Sequence, residues 1–276
     1  MKPVPLISVE QQFLDTQQAF DSVASQYDGP LGNNQLVQNM RVVLQDALRK
    51  FIPPGKRLLD LGCGTGLDAV YFAQHGYVVT AIDSSPAMLS RTCQRAAQAG
   101  VSLQVNALLL GIQDLDQLPG EPYAGIYSNL GALNCLPDLG AMARSCARLL
   151  EPGGLLICSV IGRYCPWELV FYTLRGDFKR ARVRFTADQV PVGLNGRIVW
   201  TRYYAPGEFY RVFAPFFERR ACRALSLFLP PPYLAHLFDR HPWLYPPLSW
   251  LDAHTAGLPL LDRAGDHFMI VMVRRG

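Results

Sequence analysis

The chain predicts an α/β fold with a doubly wound, mostly parallel sheet, and three stretches carry that expectation. Leu58-Leu59-Asp60-Leu61 is short and apolar and runs into Gly62-Cys63-Gly64-Thr65-Gly66, so it reads as a buried strand opening into a turn with glycines at alternate positions. An amphipathic run from Leu67 to His75, closed by Gly76, leads to a second apolar strand, Tyr77 to Ile82, which ends at Asp83. Strands and helices go on alternating to Val160, the pattern that places helices on both faces of parallel strands.

Taken in order, Phe13 to Tyr27 reads as a helix, with Phe13, Ala19, Phe20, Val23 and Ala24 on one stripe and Asp28-Gly29-Pro30 as its breaker. A second helix runs from Asn33 to Lys50, carries Leu36, Met40, Val43, Leu44 and Leu48 on one side, and stops at Pro53-Pro54-Gly55. After the second strand, Ser84-Ser85-Pro86 caps a helix through Ala99, ended by Gly100. The third strand falls within Val101 to Leu110 and the fourth is Ala124 to Ser128, leading into Asn129-Leu130. Leu139 to Leu150 is helical, Glu151-Pro152-Gly153-Gly154 is a turn, and Leu155 to Val160 is the fifth strand. Further on, Trp167 to Lys179 forms an amphipathic helix, with Arg175, Asp177 and Lys179 opposite Leu169, Val170, Tyr172 and Thr173. Ile198 to Tyr204 is a strand, and Pro206 starts a helix through Phe213. Arg220 to Leu229 and His267 to Arg274 make a terminal strand pair. The expected organisation is a helical lid (1–56), a core (57–162), a substrate-cap segment (163–205), and the end of the core sheet (206–276) with an aromatic, proline-rich insertion at about 230–266 that packs over the sheet edge or the ligand mouth.

Half of the 276 residues are hydrophobic, ample for one sizeable core. Met1 to Phe20 has neither the basic start nor the apolar middle of a signal peptide, and no apolar run approaches a membrane span, so a soluble, cytoplasmic protein is expected. The seven cysteines, Cys63, Cys93, Cys135, Cys146, Cys158, Cys165 and Cys222, contain no Cys-x-x-Cys pair and read as reduced, mostly buried thiols, with no metal site expected. The net charge of +4 is unevenly spread: residues 1–150 carry 10 Lys/Arg against 12 Asp/Glu, and residues 151–276 carry 16 against 10. The basic half suits solvated helix faces, an anionic substrate or weak contact with a membrane surface.

The glycine turn marks a ligand site, and its charge selects the ligand. A dinucleotide pyrophosphate wants Gly-x-Gly-x-x-Gly with no nearby anion, whereas here the spacing is Gly-x-Gly-x-Gly, Leu67 stands where the third glycine would fall, and Asp60 precedes the turn. A carboxylate there suits a cationic amino group, and Asp83, about twenty residues on, suits the hydroxyls of a ribose. S-adenosylmethionine joins an amine to a ribose without phosphate. Asn129 and Leu130, beyond the carboxyl end of the fourth strand, should line the floor near its sulfonium.

Over about Phe20 to Val160 the chain resembles the class I S-adenosylmethionine-dependent methyltransferases, on LDLGCGTG, the downstream AIDSSPAML, and the Leu149-to-Leu155 passage around Pro152-Gly153-Gly154. The resemblance implies a seven-stranded Rossmann-like fold, a small-molecule acceptor, and cofactor contacts at Gly62, Cys63, Gly64, Gly66, Asp83 and Ser84. It implies that Tyr27, in a Tyr-Asp segment, covers the methionine end of the cofactor, that Arg41 pairs with its carboxylate, and that Met88 packs on adenine, where a core methionine is the plain alternative. The acid that family members place after the third strand is missing: counting back from the fourth strand puts the position at Gly111-Ile112, the favoured choice, and counting forward puts it nearer Asn106-Ala107. Ala124 likewise stands where the family commonly has an aspartate.

Three function classes follow: methylation of a small apolar or amphipathic acceptor, methylation of RNA or protein, and cofactor binding without catalysis. No Asn-Pro-Pro-Tyr-like tetrad follows the fourth strand and the arginines form no recognisable RNA-binding module, so no nucleic-acid partner is expected. His236, His241 and His254 are the candidate bases, and Asn134, Tyr164 and Trp167 the candidate substrate contacts.

Overall fold

In a computed structural model the described residues are 7–30, 32–120 and 122–276. The first six residues of the expected lid, and so the start of the Met1-to-Phe20 stretch, lie outside them. The lid helices are α1 (Val9–Val23) and α2 (Gln35–Phe51). Ser8 Oγ caps α1 by accepting from Gln11 N at 3.2 Å, which starts the helix four residues ahead of the expected Phe13. Asn34 Oδ1 caps α2 by accepting from Leu36 N and Val37 N. There follow β1 (Arg57–Leu61), α3 (Leu67–Gln74), β2 (Val78–Asp83), α4 (Pro86–Gln98), β3 (Val105–Leu109), β4 (Tyr123–Ser128), α5 (Gly140–Leu149) and β5 (Leu150–Ile161). Beyond them lie α6 (Pro166–Leu174), α7 (Phe178–Ala181), β6 (Val190–Leu194), β7 (Arg197–Thr201), α8 (Pro206–Phe213), β8 (Phe217–Leu225), α9 (His236–Arg240), α10 (Tyr245–Thr255) and β9 (His267–Arg274).

Seven strands form one sheet in the order β3-β2-β1-β4-β5-β9-β8, parallel except for β9, which runs antiparallel to both neighbours. The order reverses between β1 and β4, and ligands of doubly wound sheets bind beyond the carboxyl ends of the strands at such a point. Side chains alternate across the sheet. Leu59, Ile126, Leu156 and Ile270 join one core with Met142 of α5 and Phe209 and Phe213 of α8, while Leu58, Tyr127, Ile157 and Val271 join another with Leu44 of α2 and Phe72 of α3.

Several elements depart from expectation. The third strand starts at Val105, since Gln104 N donates to Val101 O in a turn after Gly100. The expected helix from Trp167 to Lys179 is broken into α6 and α7 at Gly176, whose φ is 73°. β8 starts at Phe217 and stops at Leu225, where Ser226 turns the chain at φ 53°. β6 is a strand the pattern did not signal. It pairs with β7 as a hairpin around Asn195-Gly196, both at positive φ, the geometry an Asn-Gly turn favours. This hairpin braces α1: Trp200 Nε1 donates to Asp15 Oδ2 at 2.9 Å and Arg197 Nη1 to Gln18 Oε1 at 2.7 Å.

Candidate functional site

A crevice opens beyond the carboxyl ends of β1, β2 and β4, walled by α1 and by Arg41 of α2. Twelve of the expected cofactor contacts line it: Tyr27, Arg41, Asp60, Gly62, Cys63, Gly64, Asp83, Ser84, Met88, Ile112, Asn129 and Leu130. Gly66 and Gly111 do not. Gly66, at φ 79°, lets α3 approach α4, where a Cβ would come within 2.8 Å of the Thr92 side chain. Gly111 precedes the short turn Ile112–Gln117 that carries Ile112 to the crevice wall.

The turn is held by the carboxylate that ends β2. Asp83 Oδ2 accepts from Gly64 N and Oδ1 from Ser85 N, both at 2.9 Å. Burial pushes the Asp83 carboxyl up and these two donors pull it back only in part. At Gly62, φ 68°, a Cβ would meet that of Ala132 at 2.6 Å, so the turn must be bare where the chain approaches the loop after β4.

Asp60 is a buried carboxylate with an unsatisfied oxygen. It is 3% accessible, and its Oδ2 lines up no hydrogen-bond partner among the described residues. Burial first, then the neighbouring Asp68 and Asp83 charges, hold its carboxyl well above the usual range, with Arg41 opposing. Arg41 Nη1 pairs with Asp68 Oδ2, while its Nε has no partner among the described residues. Asp68 also accepts from Gln45 Nε2 at 2.7 Å and Asn129 Nδ2 at 3.2 Å. Three carboxylates, Asp60, Asp68 and Asp83, thus face one guanidinium in the same crevice, an electrostatic setting for a cation.

Sequence reasoning did not single out Asp68 or the wall contributed by α1. Phe13, Thr16, Gln17 and Phe20, spaced i, i+3, i+4 and i+7, all line the crevice with Cys135 and Leu136 of the loop after β4. Asp21 ties this wall to α4, accepting from Ser85 Oγ at 2.5 Å and Ala87 N at 3.2 Å. The apolar stripe of α1 was legible, but it reads identically for a core face and for a ligand wall. Leu130 takes φ 54°, held there as its N–H donates to Ser159 Oγ at 2.7 Å, and this places strained backbone on the crevice floor.

The other candidates lie elsewhere. Asn134 is fully buried and clamps three segments, its Oδ1 accepting from Ile161 N and its Nδ2 donating to Ile161 O and Arg202 O. Tyr164 is exposed, and Trp167 Nε1 donates to Phe228 O at 2.6 Å. His236, His241 and His254 do not line the crevice, because the insertion that bears them is pinned to the end of β8 and to α2. Asp252 accepts from the N–H groups of Leu227, Phe228 and Leu229, Asn34 Nδ2 donates to Pro232 O, and Asn39 Nδ2 donates to Tyr245 Oη. His254 stacks on Trp250.

Residues 58–154 match the family model for a methyltransferase domain, and together with the sheet order this makes the region a class I S-adenosylmethionine-dependent methyltransferase domain, with S-adenosylmethionine as its cofactor. A ubiquinone biosynthesis O-methyltransferase of Xylella fastidiosa is 33% identical over 145 residues, which cover 52% of this chain and 58% of that protein. The chain therefore spans little more than half the length of that curated relative. Among solved structures, the CcbJ methyltransferase of Streptomyces caelestis superposes with a TM-score of 0.61 at 17% identity, covering 95% of this chain and 99% of its own. The 1,6-didemethyltoxoflavin-N1-methyltransferase of Burkholderia thailandensis, solved with S-adenosylhomocysteine, has a TM-score of 0.59 at 17% identity and covers 99% and 92%. At such identities the structures speak for the fold. No helix among the described residues is long and apolar enough to cross a membrane.

Proposed function

We propose that this chain transfers the methyl group of S-adenosylmethionine to a small apolar or amphipathic acceptor. The observation that carries the reading is the unpartnered Oδ2 of buried Asp60 in the same crevice as Asp83, whose carboxylate is already oriented by two backbone donors. In this reading Asp60 takes the cofactor's ammonium, Arg41 its carboxylate, and Asp83 the ribose hydroxyls, while Met88 and Ile112 flank the adenine. A bound sulfonium supplies an electrophilic methyl carbon, and the protein's task is to hold an acceptor in line with it, which can contribute roughly 7–11 kcal/mol by proximity.

The crevice residues favour positioning over proton transfer. Burial pushes the Tyr27 phenol up, holds the Cys63 thiol well above its usual value, and raises the Cys135 thiol to about 12, so all three stay protonated near neutrality. No histidine is among the lining residues. The α1 wall, with Phe13 and Phe20 beside Thr16 and Gln17, supports an apolar or amphipathic acceptor, and the name of the Xylella relative supports oxygen as the accepting atom.

Calorimetry with S-adenosylmethionine tests the reading. Asp83→Ala and Gly64→Val should each weaken binding by about 100-fold or more, since each removes or disturbs charge-assisted bonds worth roughly 1.5–3 kcal/mol apiece, while cooperative melting persists. Wild-type affinity in a folded variant would overturn the assignment.

A further inference from the structure

α6 buries the wrong side. Its sequence, Pro166-Trp167-Glu168-Leu169-Val170-Phe171-Tyr172-Thr173-Leu174, has one charged residue, and a helix apolar all round belongs in a core. Yet the side chain it buries is Glu168, 8% exposed, whereas Leu169, Val170 and Leu174 are 43%, 57% and 82% exposed. The sequence pattern had placed Leu169 and Val170 on a packed stripe, and the structure turns that stripe outward. Phe178 of α7 and Phe185 after it are also exposed, at 57% and 47%.

The inversion has a cause in the fold. Arg184, itself buried, donates from Nε to Glu168 Oε2 at 2.7 Å and from Nη2 to Glu168 Oε1 and Asp266 Oδ1, each at 2.6 Å. Its Nη1 donates to Gly162 O at 3.0 Å and Asp266 O at 2.9 Å. Cys165, Glu168 and Asp266 lie close enough together to suggest metal ligands, but the guanidinium stands between the two acids. Tyr233 Oη donates to Glu168 Oε1 at 2.8 Å, adding a further tie. The helix is therefore fastened to the body through its single acid and through Trp167, whose Nε1 donates to Phe228 O, and Leu169, Val170 and Leu174 are left facing outward.

The rim of this surface is basic. Residues 175–182, Arg-Gly-Asp-Phe-Lys-Arg-Ala-Arg, hold four cations against one acid. Arg180 meets Asp177 at 3.4 Å, and the guanidinium of Arg175 lies 4.0 Å from the centre of the Phe171 ring. Lys179 and Arg182, both exposed, have no acidic partner among the described residues. Exposed Leu, Val and Phe side chains edged by unpaired cations are the composition of a helix that lies in a bilayer interface, apolar side down and cations at the headgroups.

We propose that α6 and α7 form a docking surface for an anionic lipid bilayer. The charge decides the occupant: a second copy of this chain would bring the same cations against themselves, whereas an anionic headgroup layer matches both the apolar face and its rim. None of these residues lines the cofactor crevice, so the inference stands apart from the methyl-transfer reading.

The test is flotation of the full chain with vesicles of phosphatidylcholine alone or with about one-third phosphatidylglycerol, alongside sedimentation velocity without vesicles. The wild type should float with the phosphatidylglycerol vesicles, less so at raised salt, and stay behind with phosphatidylcholine alone. Val170→Glu with Leu174→Glu should abolish flotation. Lys179→Glu with Arg182→Glu should lower the partition coefficient by at least about thirtyfold, from the roughly fivefold each cation contributes near an anionic surface. All four positions are exposed, so unchanged melting temperatures will show that the fold is intact. Failure of the wild type to float, equal binding to both vesicles with no effect of charge reversal, or a dimer that Val170→Glu with Leu174→Glu dissociates in place of vesicle binding would each overturn the proposal.

Discussion

Replacing Asp60 with Asn should make the protein more stable and a worse binder at once. The carboxylate is 3% exposed, its Oδ2 has no partner among the described residues, and Asp68 and Asp83 repel it. An unsatisfied buried polar group costs roughly 1–3 kcal/mol and more when charged, and Arg41 keeps Asp68 as its partner when Asp60 is neutralised. Relief of that order corresponds to a rise in Tm of roughly 2–10 °C for a chain of this size. Binding moves the other way. Truncating one member of a desolvated charge pair costs about 2–5 kcal/mol, so affinity for S-adenosylmethionine should fall by about 30-fold or more. Differential scanning calorimetry and titration calorimetry on the same preparations read both quantities. An unchanged affinity, or a loss of affinity accompanied by a lower Tm, would refute the view that Asp60 is held in strain for a cation.

Two further expectations concern protons and the buried arginine. Because Asp60 is held above the usual carboxylate range and a neighbouring cation lowers it again, cofactor binding should release a proton. Affinity should therefore tighten as pH rises from the ordinary carboxylate range through the raised Asp60 value, and titration in buffers of different ionisation enthalpy will count the proton. Arg184→Met should cost about 3–5 kcal/mol at neutral pH, since it strands Glu168 and Asp266. In the wild type burial would raise Asp266, but Arg184 and His267 outweigh it and hold the carboxyl well below its usual range. Its contribution is therefore present above that range and is lost as pH falls below it. In the variant the burial of Asp266 is no longer opposed by the guanidinium, so its carboxyl rises and the loss of stability on acidification should shrink, which urea melts across pH will show.

What could be read from the chain was what short-range spacing controls. β1, the glycine turn and the carboxylate of Asp83 lie within about twenty-five residues, and their roles follow from backbone sterics and charge, which act locally. Asp60, Gly62, Cys63, Gly64, Asp83 and Ser84 meet in one crevice for that reason. The strand-helix alternation also sufficed for a doubly wound sheet, because a right-handed crossover leaves few other ways to bury such a pattern. Asp68, Asp21 and the α1 wall were not legible. Asp68 meets Arg41 and Asn129 across 27 and 61 residues of chain, and nothing local to Asp68 distinguishes it from a solvated helix acid.

The sequence alone determined where the glycine turn lies and that Asp60 and Asp83 flank it, since those depend on neighbours along the chain. Only the tertiary structure decided which way α6 faces and where the histidines of the insertion end up. A single buried guanidinium, reaching Glu168 and Asp266 from position 184, outweighs the apolar periodicity of α6, and Asp252 anchors the insertion to the end of β8. Such long-range polar contacts carry no period, so hydrophobic patterning cannot foretell them.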